Sequence, residues 1–185
     1  MTPAAPAAPR RTRAPKRTER LLLAGLLALA SACDDAADPP AGDTPCGSGP
    51  LAVAVGTGNP YTAVPDGRFQ VEAGLQGGFH FEVSLRLAGD VDADHADIDL
   101  TLREGDVVRA RHVTADWLLH VDAAGPACEY PRARLVLVDE AGDLFPRERL
   151  ADLADVPLSL DVRLDSPLGG GTATVPVVLA LPERF

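Results

Sequence analysis

From Leu51 onward, apolar and polar residues alternate with a period of two. Each run places its apolar side chains on one side of an extended backbone and its polar side chains on the other. Such runs are typical of an antiparallel sheet that buries one face and leaves the other in solvent. We therefore predict strands at the clearest runs, whose apolar members are Phe69, Val71, Ala73 and Leu75; Phe79, Phe81, Val83, Leu85 and Leu87; Ile98, Leu100 and Leu102; and Leu158, Leu160, Val162 and Leu164.

Two further segments complete the predicted strands. Residues 135–138 are continuously apolar, which suits a central strand, and Val175 to Leu181 form a last strand that Pro176 restricts to a sheet edge. Gly, Pro and Asp cluster between the runs and mark turns, whereas residues 146–154 have room for a helical turn or two. About seven to nine short strands over residues 51–185 predict an all-β fold, an immunoglobulin-like antiparallel β-sandwich.

The first 33 residues have a different pattern, that of an export signal. Basic residues crowd positions 10–20, the apolar run Leu21 to Ala30 follows, and small residues precede Cys33. This order is typical of a signal peptide, and the apolar run is too short for a helix that crosses about 30 Å of hydrocarbon. Ala30-Ser31-Ala32-Cys33 resembles a bacterial lipobox, which implies cleavage after residue 32 and acylation of Cys33.

A lipid on Cys33, such as palmitate, would anchor the mature chain to a membrane of the bacterial cell envelope, facing the periplasm or the cell surface. Ordinary secretion, with Cys33 as an incidental thiol, is the alternative. Residues 33–50 contain Asp, Ala, Pro and Gly without apolar periodicity, which indicates a flexible spacer. The predicted organisation is therefore a lipoprotein signal peptide over 1–32, a lipidated spacer over 33–50 and one β-sandwich domain over 51–185.

Removal of the signal changes the charge of the chain. It takes away six of the 17 basic and one of the 27 acidic residues, which leaves 11 arginines, no lysine, 26 acids and a formal charge of −15. Such a surface repels nucleic acid and anionic lipid headgroups, so neither is an expected partner. The remaining partner classes are the membrane that holds the lipid and another envelope protein or a glycan.

Two cysteines remain besides Cys33. Cys46 and Cys128 form an even pair, which in an oxidising envelope predicts a disulfide. The bond would close a loop of about 80 residues and stabilise the fold by roughly 4 kcal/mol through the entropy of the unfolded chain. A zinc site built on two cysteines needs two further ligands at regular spacing, and none is evident in the sequence.

The most distinctive local motif is Gln76-Gly77-Gly78-Phe79-His80. It resembles the Gln-Gly-Gly-x-His motif of uncharacterised bacterial lipoproteins of myxobacterial type. The resemblance implies a lipobox, an acidic spacer and a single β-sandwich, and it implies no known activity. Physically, the two glycines permit positive φ or a bulge where a strand begins, and Gln76 can bond exposed backbone there. A structural corner and a binding site with Gln76, His80 and Glu82 are both open interpretations.

Two groups of residues are candidate metal ligands. His80 and Glu82 lie two residues apart on the polar face of one predicted strand, where two side chains can share an ion. Asp90, Asp92 and Asp94 alternate in a connection between strands, and their carboxylate oxygens suit calcium. An EF-hand is excluded, because the loop lacks the glycine and the glutamate that this motif needs. Solvated histidines and a solvated acidic hairpin are the alternatives.

Catalytic motifs are missing from the sequence. It contains neither a nucleophile elbow nor a glycine-rich phosphate loop followed by a helix. Trp117 falls in phase with Leu119 and Val121, which predicts a core residue. We therefore predict a membrane-tethered, non-enzymatic binding module without a cofactor. The alternative is an envelope protein that binds calcium or a transition metal at the aspartate-rich loop or at His80 and Glu82.

Overall fold

The alternating runs of the sequence form the long strands of two packed β-sheets. The computed structural model describes residues 44–75, 77–123 and 125–182. Within these ranges the strands are β1 (Ala52–Thr57), β2 (Thr62–Ala63), β3 (Arg68–Gln70), β4 (Glu72–Ala73), β5 (Phe79–Ala88), β6 (Ala96–Glu104), β7 (Val107–Trp117), β8 (His120–Val121), β9 (Cys128–Val136), β10 (Pro157–Ser166) and β11 (Gly169–Ala180). Eight of these eleven described strands have three or more residues. The predicted all-β sandwich is confirmed.

The first sheet is built around β5. Its order is β2-β1-β5-β9-β8, and β4 pairs with the beginning of β5. Because β9 runs along one edge of β5, the strands β4 and β1 share its other edge. An interior strand buries even side chains that alternation assigns to its polar face. For this reason His80 and Ser84 are both buried.

The second sheet has the order β3-β11-β10-β6-β7. Its pairs are antiparallel except for β3 and β11, which run parallel from Arg68 opposite Val178 to Gln70 opposite Ala180. The rest of β11 is a sheet edge, and Pro176 lies in that part, as the sequence predicts. At the other side of this sheet, β7 is the edge strand.

The apolar sides of both sheets meet in one core. Phe81, Leu85 and Leu135 come from the first sheet, Leu100 and Leu160 come from the second, and all five are fully buried. Burial of each such side chain stabilises the fold by about 1.5–3 kcal/mol relative to its exposure. The core therefore determines the register of the strands, and the register determines which polar residues meet at the strand ends.

A β-bulge between Val83 and Leu85 shifts the register of β5 against β9. Ser84 Oγ donates a hydrogen bond of 2.6 Å to a carbonyl in the β1–β2 turn and accepts one of 3.0 Å from the Arg132 N–H. Arg132 has a φ of 51°, the local irregularity that a bulge introduces. The guanidinium of Arg132 lies 2.8 Å from Glu82, measured from Nε to Oε2.

The fold begins before position 51, where the predicted domain starts. The Cys46 N–H donates to the Val91 carbonyl at 2.8 Å, and the Ala93 N–H donates to the Thr44 carbonyl at 2.8 Å. The predicted disulfide between Cys46 and Cys128 is present, and Cys46 is buried. Residues 44–50 are therefore part of the domain and not of the spacer. Composition could not reveal this, because these residues attach through backbone hydrogen bonds and one cysteine.

A short 3₁₀ helix, Arg147–Leu153, lies in the segment predicted to hold a helical turn and buries Leu150 and Leu153. In the described ranges, no helix has the length and apolar character needed to cross a membrane. The predicted signal peptide, Cys33 and Gln76 lie outside the described residues.

Candidate functional site

The turn between β4 and β5 contains Gly74, Gly77 and Gly78, and we call these three residues the glycine corner. The Gly74 N–H donates to the Gly78 carbonyl at 3.0 Å, and the Gly77 N–H donates to the Gly74 carbonyl at 3.1 Å. Gly77 and Gly78 have φ angles of 86° and 76°, which other residues rarely adopt. A Cβ on Gly78 would also lie 3.1 Å from Cδ2 of Leu144. The positive φ predicted for this pair is present, and it directs the chain into β5.

Two cavities adjoin the glycine corner. The larger has a volume of about 510 Å³ and is lined by Glu72, Ala73, Gly74, Leu75, Gly77, Gly78, Phe79, His80, Arg134 and Val136. The smaller has a volume of about 350 Å³ and is lined by Ala73, Gly74, Gly77, Gly78, Phe79, Phe145 and Arg147. Both volumes fall within the range of about 300–1,000 Å³ that small-molecule sites occupy.

His80 is a buried titratable residue in the wall of the larger cavity. It is 7% exposed, because Glu72 of β4 and Val136 of β9 pair with it from the two sides. Its Nε2 atom is buried without a hydrogen bond and lies 3.7 Å from Oε2 of Glu72. A buried nitrogen without a hydrogen bond costs about 1–3 kcal/mol. A ligand that supplied this bond would recover that energy.

The rim of the larger cavity combines both signs of charge with apolar surface. The side chains of Glu72 and Arg134 are largely exposed there. Arg134 lies 3.4 Å from Glu82, near the outer limit of a hydrogen bond. Leu75 is fully exposed and Val136 is partly exposed. The cavity therefore offers an imidazole, a carboxylate and a guanidinium beside apolar contact surface, a combination suited to a polar organic ligand.

Glu82, the predicted partner of His80, belongs to a different contact. Arg132 binds both oxygens of its carboxylate, with Nε–Oε2 at 2.8 Å and Nη2–Oε1 at 3.2 Å. The hydrogen bond from Arg132 lowers the pKa of Glu82 below its ordinary value. Glu82 is also not among the residues that line the larger cavity. The carboxylate next to His80 is that of Glu72, which the alternation pattern could not indicate because Glu72 lies on another strand.

The aspartate-rich loop is organised by backbone hydrogen bonds. Asp92 is buried, and its Oδ1 accepts a hydrogen bond of 2.9 Å from the Asp94 N–H. The Asp92 N–H donates to Ser166 Oγ at 3.0 Å, and the Asp90 N–H donates to the Gly49 carbonyl at 2.9 Å. Such bonds are a common reason for Asp in turns. Among the described residues, no group of three or more His, Cys, Asp or Glu is arranged to hold a metal ion.

An ionic cluster around buried Arg109, beside the smaller cavity, is a feature that sequence reasoning missed. Nη2 of buried Arg109 lies 2.6 Å from Glu104 and 2.9 Å from Glu140. The guanidinium groups of Arg109 and Arg149 lie 5.6 Å and 5.4 Å from the centre of the Phe145 ring. Hydrogen bonds from both arginines hold the pKa of Glu140 well below its ordinary value. The cluster fastens the loop that borders the glycine corner. Its members are too far apart in sequence for spacing to reveal it.

Trp117 is not a core residue, and that prediction is wrong. It is 40% exposed, and its ring packs edge-on against Tyr130 with the ring centres 5.6 Å apart. β7 ends at Trp117, and the chain then crosses to β8 in the first sheet. Leu119, in the crossing, is buried, whereas Val121 of β8 is exposed. The two-residue spacing of Trp117, Leu119 and Val121 therefore does not predict a shared buried face, because the three residues do not belong to one strand.

No protein-family model matches the chain, and neither a curated protein nor a solved structure is significantly similar to it. The candidate site is therefore defined by its geometry. Of the residues predicted for binding, His80 lines the cavity, Glu82 is engaged by arginine, and Gln76 lies outside the described residues. Glu72 and Arg134 were not predicted, because only the pairing of β4, β5 and β9 brings them to His80.

Proposed function

We propose that this protein is a bacterial envelope lipoprotein whose β-sandwich is a non-enzymatic binding module, with the cavity beside His80 as its ligand site. The observation that carries this proposal is the buried Nε2 of His80, which has no hydrogen bond and belongs to a residue in the cavity wall. Buried polar atoms are nearly always paired, so an exception at a cavity points to a ligand group that completes the pair.

The lipid part of the proposal is supported by residues 1–33. A basic segment, the apolar run Leu21 to Ala30 and the small residues before Cys33 have the order that export and lipidation require. The disulfide between Cys46 and Cys128 agrees with an oxidising compartment outside the cytoplasm.

The position of the cavity in the domain also supports the proposal. His80 lies at one end of β5, and Leu87, near the other end, pairs with Cys128. Seven residue steps of extended strand separate His80 from Leu87 by about 24 Å. The chain that leads to Cys33 enters beside the disulfide, because Thr44 and Cys46 are bonded there. A tether at Cys33 would therefore hold one end of the domain and present the cavity at the other.

The binding site is tested with the variant His80→Phe, which keeps a planar ring and removes the nitrogen that lacks a hydrogen bond. Soluble peptidoglycan fragments are the first probe, since their sugars and short peptides are polar and of suitable size. In ¹⁵N NMR titrations we expect the amides of Gly77 and Gly78 and the His80 ring to shift in the natural chain. His80→Phe should abolish the amide shifts, and the matched control His120→Phe, at an exposed histidine of β8, should keep them.

The site proposal is overturned if peptidoglycan fragments and solubilised envelope glycans leave these resonances unmoved. It is also overturned if His80→Phe, shown to be folded by its dispersed spectrum, responds as the natural chain does. The lipid proposal has a separate test. Cys33→Ser should leave the domain folded while removing labelled palmitate and membrane retention, and label retained by Cys33→Ser would contradict it.

A further inference from the structure

Three exposed apolar side chains lie within five residues where the chain crosses from one sheet to the other. Trp117 is 40% exposed, Leu118 is 61% exposed and Val121 is 53% exposed. We call these three residues the Trp117 patch. Buried Leu119 lies between them, and its N–H donates to the Ala93 carbonyl at 2.7 Å. The patch is therefore held on an ordered segment of backbone.

The Trp117 patch borders the place where the amino-terminal chain enters the domain. Ala93, which accepts the hydrogen bond from Leu119, donates its own N–H to the Thr44 carbonyl at 2.8 Å. On the other side, Val121 pairs with Cys128, which forms the disulfide with Cys46. A membrane tether on this chain would pull this same end of the domain toward the bilayer.

The length of the chain before Thr44 allows the patch to reach a membrane. Eleven residue steps separate Cys33 from Thr44, and this much extended chain spans at most about 40 Å. A lipidated Cys33 therefore keeps the domain within one domain diameter of the bilayer surface. Exposed Trp, Leu and Val at that end are the kinds of side chain that partition into the headgroup region of a bilayer.

The charges near the patch select the kind of lipid. Asp116 precedes the patch with an exposed carboxylate, and the nearby Arg86 is already paired with Asp122 at 2.5 Å. The chain from Cys33 onward has a formal charge of −15 and no lysine, which disfavours contact with anionic headgroups. A zwitterionic phospholipid surface is the membrane that this combination fits.

We propose that the Trp117 patch rests in the headgroup region of a zwitterionic bilayer and docks the tethered domain on its own membrane. The proposal rests on the lipidation of Cys33 in the proposed function. Docking through this end fixes an orientation in which β5 points away from the bilayer and the cavity beside His80 faces outward. The tether alone would limit only the distance between the domain and the membrane.

The chain contains a single tryptophan, so its fluorescence reports on the patch alone. Full-length protein is purified from membranes with its lipid, checked for acyl label, and reconstituted in phosphatidylcholine vesicles with or without brominated acyl chains. Because interfacial side chains lie about 5–10 Å into the boundary between headgroups and acyl chains, bromines near the headgroup should quench Trp117 more than bromines near the chain end. The emission of Trp117 in vesicles should also lie at shorter wavelength than its emission in protein from which the lipid has been removed, measured in buffer without detergent.

The paired variant Leu118→Ser, Val121→Ser keeps the probe and should lose most of the quenching. The matched control Val108→Ser, Leu144→Ser changes two exposed apolar residues outside the patch and should quench as the natural chain does. Lipidated, vesicle-bound protein whose Trp117 is not quenched by brominated lipid overturns the docking and leaves the lipid tether intact. Absence of acyl label overturns both. Trp117 could also be shielded from water without being quenched by lipid. If this shielding decreases when the protein is diluted in the bilayer, a second copy of the chain covers the patch and the proposal is overturned.

Discussion

The two ends of β5 differ in what surrounds them. Beside Leu87, the disulfide between Cys46 and Cys128 closes the domain covalently, and the incoming backbone is hydrogen-bonded to the loop before β6. Beside His80, glycines with positive φ shape a cavity, and a buried nitrogen lacks a hydrogen bond. The entry end also has a glycine with positive φ, Gly89, and a buried atom without a hydrogen bond, Asp92 Oδ2. The ends therefore differ in the covalent bond at one and the cavity at the other.

Both ends belong to a single central strand. Most residues of β5 are buried, so hydrogen bonds to water cannot replace interactions that are lost at either end. We expect the disulfide and the core to hold β5 in place despite the positive φ of Gly77 and Gly78. Four measurements test this difference between the two ends, from the largest expected effect to the smallest.

Loss of the disulfide should have the largest effect. The double variant Cys46→Ala, Cys128→Ala frees a loop with a sequence separation of 82 residues. The chain-entropy model then gives a loss of about 4.5 kcal/mol in the free energy of unfolding. Urea denaturation of the natural and variant chains measures this loss. A loss below about 1 kcal/mol would show that the entry end does not depend on the covalent bond.

His80→Phe should change stability in the opposite direction. It removes a buried nitrogen without a hydrogen bond and keeps an aromatic ring, so the free energy of unfolding should rise by up to about 1–3 kcal/mol. Thermal denaturation of the ligand-free chain measures it. The control is Tyr130→Phe, which removes a hydroxyl that is hydrogen-bonded to His112 at 2.8 Å and should destabilise the fold. Destabilisation by His80→Phe would contradict the interpretation that the Nε2 atom of His80 lowers the stability of the ligand-free fold.

The glycine corner is probed by two neighbouring substitutions. Gly77→Ala places a methyl group in open space at a φ of 86°, so it should cost only the strain of the left-handed conformation, about 1–2 kcal/mol. Gly78→Ala carries similar strain and also meets Leu144 at 3.1 Å, so it should cost more. Denaturation midpoints of the two variants give the comparison. Equal losses of stability in the two variants would mean that Leu144 can move away from the added methyl group at little cost.

The smallest effect concerns pH at the entry end. The hydrogen bond that the His95 Nδ1–H donates to Oδ1 of Asp116, 2.6 Å away, raises the pKa of His95 above its ordinary value of 6.5. Protonated His95 therefore stabilises the fold below about pH 6.5, and this contribution is lost as the pH rises through the raised pKa. In Asp116→Asn, whose amide suits the φ of 52° at this position, the His95 midpoint measured by NMR should fall toward 6.5.

Asp94→Asn is the control for that titration, since the Asp94 charge is a minor cause of the raised pKa of His95 and its loss should lower the midpoint less. An unchanged midpoint in Asp116→Asn would mean that the 2.6 Å contact does not persist in solution. Because His95 and Asp116 are both well exposed, the accompanying change in stability should be near the limit of measurement.

The fold was accessible from the sequence because a period of two is a local property. Runs such as Phe79 to Leu87 report which side chains share a face, and the core follows from them. The disulfide followed from the number of cysteines and the expected compartment. The start of the domain near Thr44 was not accessible, since backbone hydrogen bonds leave no pattern in composition.

The candidate site was only half accessible from the sequence. The Gly-Gly pair indicated a corner before His80, and the structure has positive φ at both glycines. Alternation, however, predicts which face of a strand a side chain lies on and does not predict whether that face is buried. His80 is buried because β4 and β9 cover both edges of its strand. The meeting of His80 with Glu72 and Arg134 depends on pairing between strands, and a single sequence contains no signal for it.

The disulfide also determines how the domain would bear mechanical load. A pull on the amino-terminal chain enters at Cys46 and passes through the sulfur bridge to Cys128 at the start of β9. The polypeptide between the two cysteines, which contains β5 and the glycine corner, lies outside this path and is not stretched. Force would instead reach β9 and the residues after it, so the cavity would keep its shape until the hydrogen bonds between β9 and β5 are sheared.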